Sequence, residues 1–217
     1  MTVSYKVAIT AAAIFSAVSL YDAVHHGVTG RGSAFSDEYG MTWATVAGSI
    51  LSALSFIALA VILVIERGRM DSDSRLRRWV RRLLAVDLAL LAAVFGIGIP
   101  LMGALGRGRL DAAVGGVAGV AFAAMFVLAV GLGLSLVRIR ELRPSALLLL
   151  AVVPAIGLTI ILQAMGSAFA HPAYAETAVY LGIALLGRRP QIGAAAPNPR
   201  RSEARQSSDK PLTIGTD

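Results

Sequence analysis

The sequence predicts an all-α protein, a polytopic transmembrane helical bundle of six spans with both termini in the cytoplasm and a disordered C-terminal tail. Of the 217 residues, 56% are hydrophobic and only 15% are charged. Six apolar segments are separated by short loops, and basic residues are concentrated on alternate loops. One soluble core cannot bury that much apolar surface, so we expect lipid to surround the chain.

The spans follow from length, because crossing about 30 Å of hydrocarbon takes roughly 20 helical residues. The predicted spans are residues 4–24, 41–65, 83–105, 112–137, 145–165 and 172–187. The first is expected to be a retained span, because its apolar stretch exceeds that of a signal peptide. The sixth is short enough to be re-entrant, but flanking arginines that snorkel would make it a full span, which we expect.

Residues 1–187 therefore form one six-helix transmembrane domain, and residues 188–217 form a tail. The tail is rich in Pro, Ser, Asn and Gln, which is typical of disordered segments. Its basic residues Arg200, Arg201 and Arg205 are either solvated or dock on anionic lipid or a protein.

Orientation follows from the basic residues, which are retained preferentially on the cytoplasmic side. With the N-terminus inside, all but Arg31, Arg107 and Arg109 of the 20 Lys and Arg residues lie on that side. The net charge of +7 then reflects topology, and no nucleic-acid partner is expected. We predict a multi-pass protein of the bacterial cell (inner) membrane.

Small residues recur every fourth position in two spans, where they would let helices approach closely. They either form a homodimer face or seat helices within the bundle, and we expect the second. The stripes are Ala44, Gly48 and Ser52 in the second span, and Gly115, Gly119 and Ala123 in the fourth. Kinks are expected near Pro100 and Pro154, because proline removes a backbone donor and crowds the preceding turn.

Asp87 is the one acidic residue expected inside the hydrocarbon, close to its inner boundary. An unpaired charge there is costly, so a partner from another span is expected, with Arg138 or Arg140 as candidates. The alternatives are a structural ion pair, a protonated and hydrogen-bonded carboxyl, or a relay for protons or cations.

Acidic and histidine side chains meet at the outer ends of the first and sixth spans. Imidazoles and carboxylates together can bind a divalent metal or act as general acid and base. They can equally be hydrated residues at span ends, and without a close helical ligand pair we predict no metal and no cofactor. The candidate cluster is Asp22, His25, His26, His171 and Glu176.

Arginines surround Trp79 where the third span begins on the inner side. This pattern is typical of an interfacial anchor, and each basic residue near an anionic leaflet contributes about 1 kcal/mol. Specific recognition of anionic headgroups is the alternative. The expected anionic-lipid contacts are Arg75, Arg77, Arg78, Arg81 and Arg82.

The segment Ser36-Asp37-Glu38-Tyr39-Gly40 leads into the small-residue-rich second span. With the six-span layout, it resembles an uncharacterised family of small bacterial six-span integral membrane proteins. The resemblance implies the fold but carries no activity to residues here.

Two functional classes remain open. We expect a non-enzymatic membrane component that binds lipid, a small apolar molecule or a partner protein, and that forms homo-oligomers or joins another membrane protein. The alternative is a transporter of ions or small molecules, or a membrane enzyme that uses the outer cluster. The scarcity of ionisable residues within the spans favours the first class.

The topology predicts that a reporter fused at Arg78 is active only as a cytoplasmic reporter. A fusion at Arg31 should be active only as an external one. A fusion at Arg78 that reports the outer side would contradict the assignment.

Overall fold

The computed structural model describes residues 3–34, 42–71, 74–105 and 109–188, and these ranges contain helices and no strand. They confirm the all-α class. A π-helical turn, Val94–Gly98, joins α4 to α5, and a 3₁₀ turn, Arg140–Leu142, precedes α7. The helices are α1 (Val3–Thr29), α2 (Trp43–Ile65), α3 (Arg67–Met70), α4 (Arg75–Ala93), α5 (Ile99–Leu105), α6 (Arg109–Leu136), α7 (Arg143–Leu150), α8 (Val152–Ala164) and α9 (Ala173–Leu186).

Five helical segments are long and apolar enough to cross a membrane. Exposed apolar side chains project from them, as a lipid-facing surface requires; Val120 is 73% exposed and Val127 is 72% exposed. These helices are compatible with a membrane protein. The five segments are Tyr5–Thr29, Trp43–Ile65, Arg75–Ala104, Ala112–Leu136 and Arg140–Ala164, with Ala173–Leu186 as a shorter apolar helix.

The long helices form a closed ring in which each packs against its neighbours in sequence. Helix α1 contacts α2, α2 contacts α4, α4 contacts α6, and α6 contacts α7. Helix α9 closes the ring by packing on both α7 and α1, and it also contacts α2, α6 and α8. Helix α9, which is shorter than the five long segments, is thus covered by protein on several sides, and its side chains from Ala178 to Tyr180 are buried.

Glycines allow α7 to sit tightly between α6 and α9. A Cβ at Gly133 would lie 3.0 Å from the Cβ of Leu149, and one at Gly182 would lie 2.8 Å from Cδ2 of the same leucine. The Ser145 hydroxyl donates a hydrogen bond to the Gly182 carbonyl. Because lipid provides no hydrophobic drive for helix association, such close contacts carry the stability of the bundle.

Both predicted interruptions are present, each just before its proline. The π-helical turn precedes Pro100, and the Ile99 N–H bonds back to the Val94 carbonyl. Helix α7 ends at Leu150 and α8 begins after Ala151, whose ψ is −12°. Pro154 cannot donate to the carbonyl four residues earlier, so the chain turns there.

The small-residue stripes have different environments. In α2, Ala44 and Ser52 are buried in the bundle, as predicted. In α6 the prediction is wrong, because a Cβ at Gly115 or Gly119 would meet nothing within 4 Å. That face of α6 is free to contact lipid or another helix.

The motif at residues 36–40 and the tail from residue 189 onward lie outside the described residues.

A buried ion pair ties the α2–α4 connection to the bundle. The Arg81 guanidinium donates from Nε and Nη2 to the two carboxylate oxygens of Asp71, at 2.9 and 2.7 Å, and from Nη1 to the Leu63 carbonyl at 2.9 Å. Arg81 caps the end of α2 because it bonds a carbonyl of the last turn, which lacks a helical partner.

Arg69 makes the corresponding connection to the end of α9. Its Nη1 donates to the Leu186 carbonyl at 3.1 Å and to Glu66 Oε2 at 3.3 Å. Its Nη2 lies 3.7 Å from Glu141 Oε2, before α7. The C-terminal ends of α2 and α9 and the N-terminal end of α7 therefore meet at one arginine.

We expect Asp71→Asn to lower the free energy of unfolding by about 3 kcal/mol, because it leaves the Arg81 guanidinium buried and unpaired. Thermal or denaturant unfolding of the detergent-purified protein measures the change. Arg67→Gln is the matched control, because Arg67 is exposed in the same connection. Equal stability of Asp71→Asn and the control would refute a structural role for the pair.

Candidate functional site

Three arginines and a tryptophan line a shallow cleft at the beginning of α4. The cleft has a volume of about 160 Å³, and its lining residues are Arg75, Arg78, Trp79 and Arg82. Their spacing places them on one face of the helix. All four are exposed, and no described acidic side chain forms an ion pair with any of these arginines.

The five arginines expected to contact anionic lipid therefore divide into two groups. Arg81 is occupied by Asp71 and the Leu63 carbonyl, so the expectation that it contacts lipid is not met. Arg77 turns inward as well, and its Nη1 donates to the Met70 carbonyl at 2.9 Å. Arg75, Arg78 and Arg82 face outward. Helical periodicity in the sequence could have separated these three from Arg77 and Arg81.

The predicted cationic partner of Asp87 is wrong. Asp87 is buried, and its Oδ2 has no hydrogen-bond partner among the described residues. It lies on the packed face of α4 beside Leu88, whereas Arg138 and Arg140 follow the end of α6 and are exposed. The carboxyl is thus buried in the bundle and forms no ion pair with any residue that the structure describes.

The structure brings the C-terminal end of α1 and the N-terminal end of α9 together. Helix α1 continues to Thr29, so Asp22 and His26 share one of its faces. Asp22 Oδ2 lies 3.5 Å from His171 Nε2, and Asp22 Oδ1 accepts a hydrogen bond of 2.9 Å from the Ser33 N–H. Gly27 lets α1 approach the segment before α9 closely, because a Cβ at Gly27 would lie 2.2 Å from the Phe169 ring.

Hydrogen bonds fix the orientation and tautomer of His171. The Ala173 N–H donates to His171 Nδ1 at 3.2 Å, so the proton of the neutral ring is on Nε2, facing Asp22. The His171 carbonyl accepts from the Thr159 hydroxyl at 3.1 Å. With one ring nitrogen bonded to the backbone and the other facing a carboxylate, this imidazole has no free position for a metal or a substrate.

Burial lowers the pKa of His171 below its usual range. The nearby Asp22 carboxylate acts in the opposite direction, and His26 adds to the lowering. A proton on Nδ1 would point at the Ala173 N–H, so protonation of the ring would break the hydrogen bond at the start of α9.

Four of the five predicted outer residues lie near one another. Glu176 lies within electrostatic range of Asp22, and His26 lies within range of His171. His25 is separate, because its Nδ1 contacts the Arg31 carbonyl at 3.1 Å. In the described ranges no three His, Asp or Glu side chains are placed to hold a metal ion.

The lowered pKa of His171 has a direct consequence for stability. Below pH about 6.5 the unfolded chain binds more protons at this residue than the folded chain does, so unfolding becomes easier as the pH falls. Above pH about 6.5 neither state binds a proton at His171, so the folded state keeps its full stability with respect to this residue. We expect thermal unfolding between pH 8 and pH 5 to show this decline, reduced in His171→Asn and unchanged in His25→Asn. Identical pH profiles for the wild type and His171→Asn would contradict the assignment.

No protein-family model, curated protein or solved structure matches this chain. The resemblance suggested by residues 36–40 therefore stays a prediction, and the function has to be argued from the geometry of the chain itself.

Proposed function

We propose that this protein is a non-enzymatic six-span protein of the bacterial inner membrane that binds anionic lipid headgroups at the inner leaflet. The observation that carries this proposal is the cleft of Arg75, Arg78, Trp79 and Arg82. Buried ion pairs elsewhere fix the structure, yet these arginines are left without acidic partners among the described residues. An anionic ligand from outside the chain would satisfy them.

The chemistry of the cleft suits a lipid phosphate. Guanidinium groups bind phosphate oxygens through paired hydrogen bonds, and their weak hydration suits them to an interface. Trp79 is 62% exposed and lies among them, as tryptophan does at headgroup depth. Arg82 lies two turns deeper than Arg75, so its long side chain would snorkel toward the phosphate layer.

Topology and location belong to the same proposal. The cleft and the exposed arginines after α6 lie at one end of the bundle, because Arg69 links the α2–α4 connection to Glu141. Basic residues crowd this end, which supports a cytoplasmic placement. Helix α9 would then be the sixth span, with its short length compensated by protein contacts around it.

The enzyme alternative is less well supported. His171 is engaged at both ring nitrogens, and no metal-binding group of three lies within the described ranges. A general base needs a nitrogen that can reach its substrate.

The test is native mass spectrometry of the protein after equilibration with equal phosphatidylglycerol and phosphatidylcholine. We expect the wild type to retain phosphatidylglycerol preferentially. The variant with Arg75→Gln, Arg78→Gln and Arg82→Gln should lose this preference by about tenfold or more, because each arginine contributes about 1 kcal/mol.

The matched control carries Arg138→Gln, Arg140→Gln and Arg143→Gln, which removes the same charge from the same end of the bundle. All three control residues are exposed. The control should keep most of the preference. Equal losses in both variants would show that general surface charge, and not the cleft, selects the lipid.

A further inference from the structure

The cleft on α4 continues along the same helix face into exposed apolar side chains. Steps of four, three and four residues lead from Trp79 to Leu83, Val86 and Leu90, which therefore share its side of the helix. These three apolar side chains are 50%, 67% and 44% exposed. The arginine cleft thus opens directly onto an apolar strip.

This continuity identifies the source of the anion that the cleft would bind. Val86 lies about 6 Å beyond Arg82 along the helix axis. A lipid with its phosphate among the arginines would lay its acyl chains along Val86 and Leu90, whereas a soluble phosphate would leave this strip uncovered. The surface therefore suits a membrane lipid and not a free phosphate.

The cleft carries more guanidinium groups than one phosphate can match. Arg75, Arg78 and Arg82 all line it, and none of them forms an ion pair with an acidic side chain that the structure describes. Each guanidinium offers a planar fork of N–H donors that suits one phosphate through two parallel hydrogen bonds. A lipid with a single phosphodiester brings one negative charge against three positive charges, so most of this donor capacity would stay unused.

The neighbouring arginines hold the three outward ones in place. Arg77 Nη1 donates to the Met70 carbonyl at 2.9 Å, and Arg81 donates from Nε and Nη2 to both carboxylate oxygens of Asp71. These inward bonds fix the rotation of α4 about its axis. The outward arginines are therefore arranged before a ligand arrives, which lowers the entropic cost of binding.

The spread of the three arginines indicates how the phosphates of the ligand are joined. From Arg75 to Arg82 the helix rises by about 10 Å, with Arg78 between them. Two phosphates separated by a glycerol can engage both ends of this row, whereas two phosphates that share one bridging oxygen match less of it. We propose that the cleft selects a lipid of the diphosphatidylglycerol class over lipids with one phosphate; this inference rests on the proposed function of the cleft as an anionic-lipid site.

The experiment is a lipid competition followed by native mass spectrometry of the full chain. Micelles contain diphosphatidylglycerol and phosphatidylglycerol at equal phosphate concentration, with phosphatidylcholine as the background. We expect the wild type to retain diphosphatidylglycerol about fivefold or more over phosphatidylglycerol, because the second phosphate engages at least one more arginine, worth about 1 kcal/mol. An excess of inorganic phosphate should not release the bound lipid.

Variants at the two ends of the row test the two-phosphate geometry. Arg75→Gln and Arg82→Gln should each bring the retention of the two anionic lipids close to equality, because each removes the arginine at one end. Arg138→Gln is the control, since Arg138 is exposed and lies outside the cleft, and it should keep the preference. Diphosphatidylglycerol also has twice as many acyl chains, and a preference that came from the chains would survive both end variants.

Four results would overturn the proposal. Equal retention of the two anionic lipids, with both retained over phosphatidylcholine, would refute the two-phosphate ligand and leave the proposed function intact. A preference that survives both end variants would assign it to the acyl chains. Release by inorganic phosphate would assign the cleft to a soluble anion. Retention of phosphatidylcholine as readily as either anionic lipid would refute the proposed function and this inference together.

Discussion

The packing of α9 against α1 and α7 is the contact on which the rest of the structure depends, because it joins the last helix to the first. In lipid this association must come from close van der Waals contact and hydrogen bonds between helices. Gly182 against Leu149 and the Ser145 hydroxyl on the Gly182 carbonyl supply both. The same contact brings His171 to Asp22, so this pair forms only when α9 packs on α1.

Charged groups at the two ends of the bundle are used differently. At the end that carries the α2–α4 connection, Arg69 and Arg81 bond helix-end carbonyls and carboxylates, and the three outward arginines of α4 remain without acidic partners among the described residues. At the other end, Asp22 Oδ2 faces the His171 imidazole, and no described Lys or Arg pairs with Asp22 or Glu176.

Much of the fold followed from the sequence. Hydropathy predicted the long helices, and Pro100 and Pro154 marked the interruptions, because both depend on residues close in the chain. Helix α4, which contains the start of the third predicted span, begins eight residues before that span, since Arg75–Arg82 are polar yet helical. Two predictions were wrong: the ion pair of Asp87 with an arginine after α6, and the packing of Gly115 inside the bundle. Both depend on how α6 is rotated against its neighbours, which hydropathy does not encode.

The sequence by itself determined that the chain forms long apolar helices of membrane-spanning length with basic residues at one end, because the cost of exposing polar backbone in lipid leaves apolar segments of this length no other form there. It also supplied the residues of both candidate sites. Only the tertiary structure decided which of them meet: Arg81 pairs with Asp71 while Arg78 faces outward, and His171, not His25, meets Asp22. These choices depend on helix rotation and loop conformation, where contacts between distant residues outweigh local pattern.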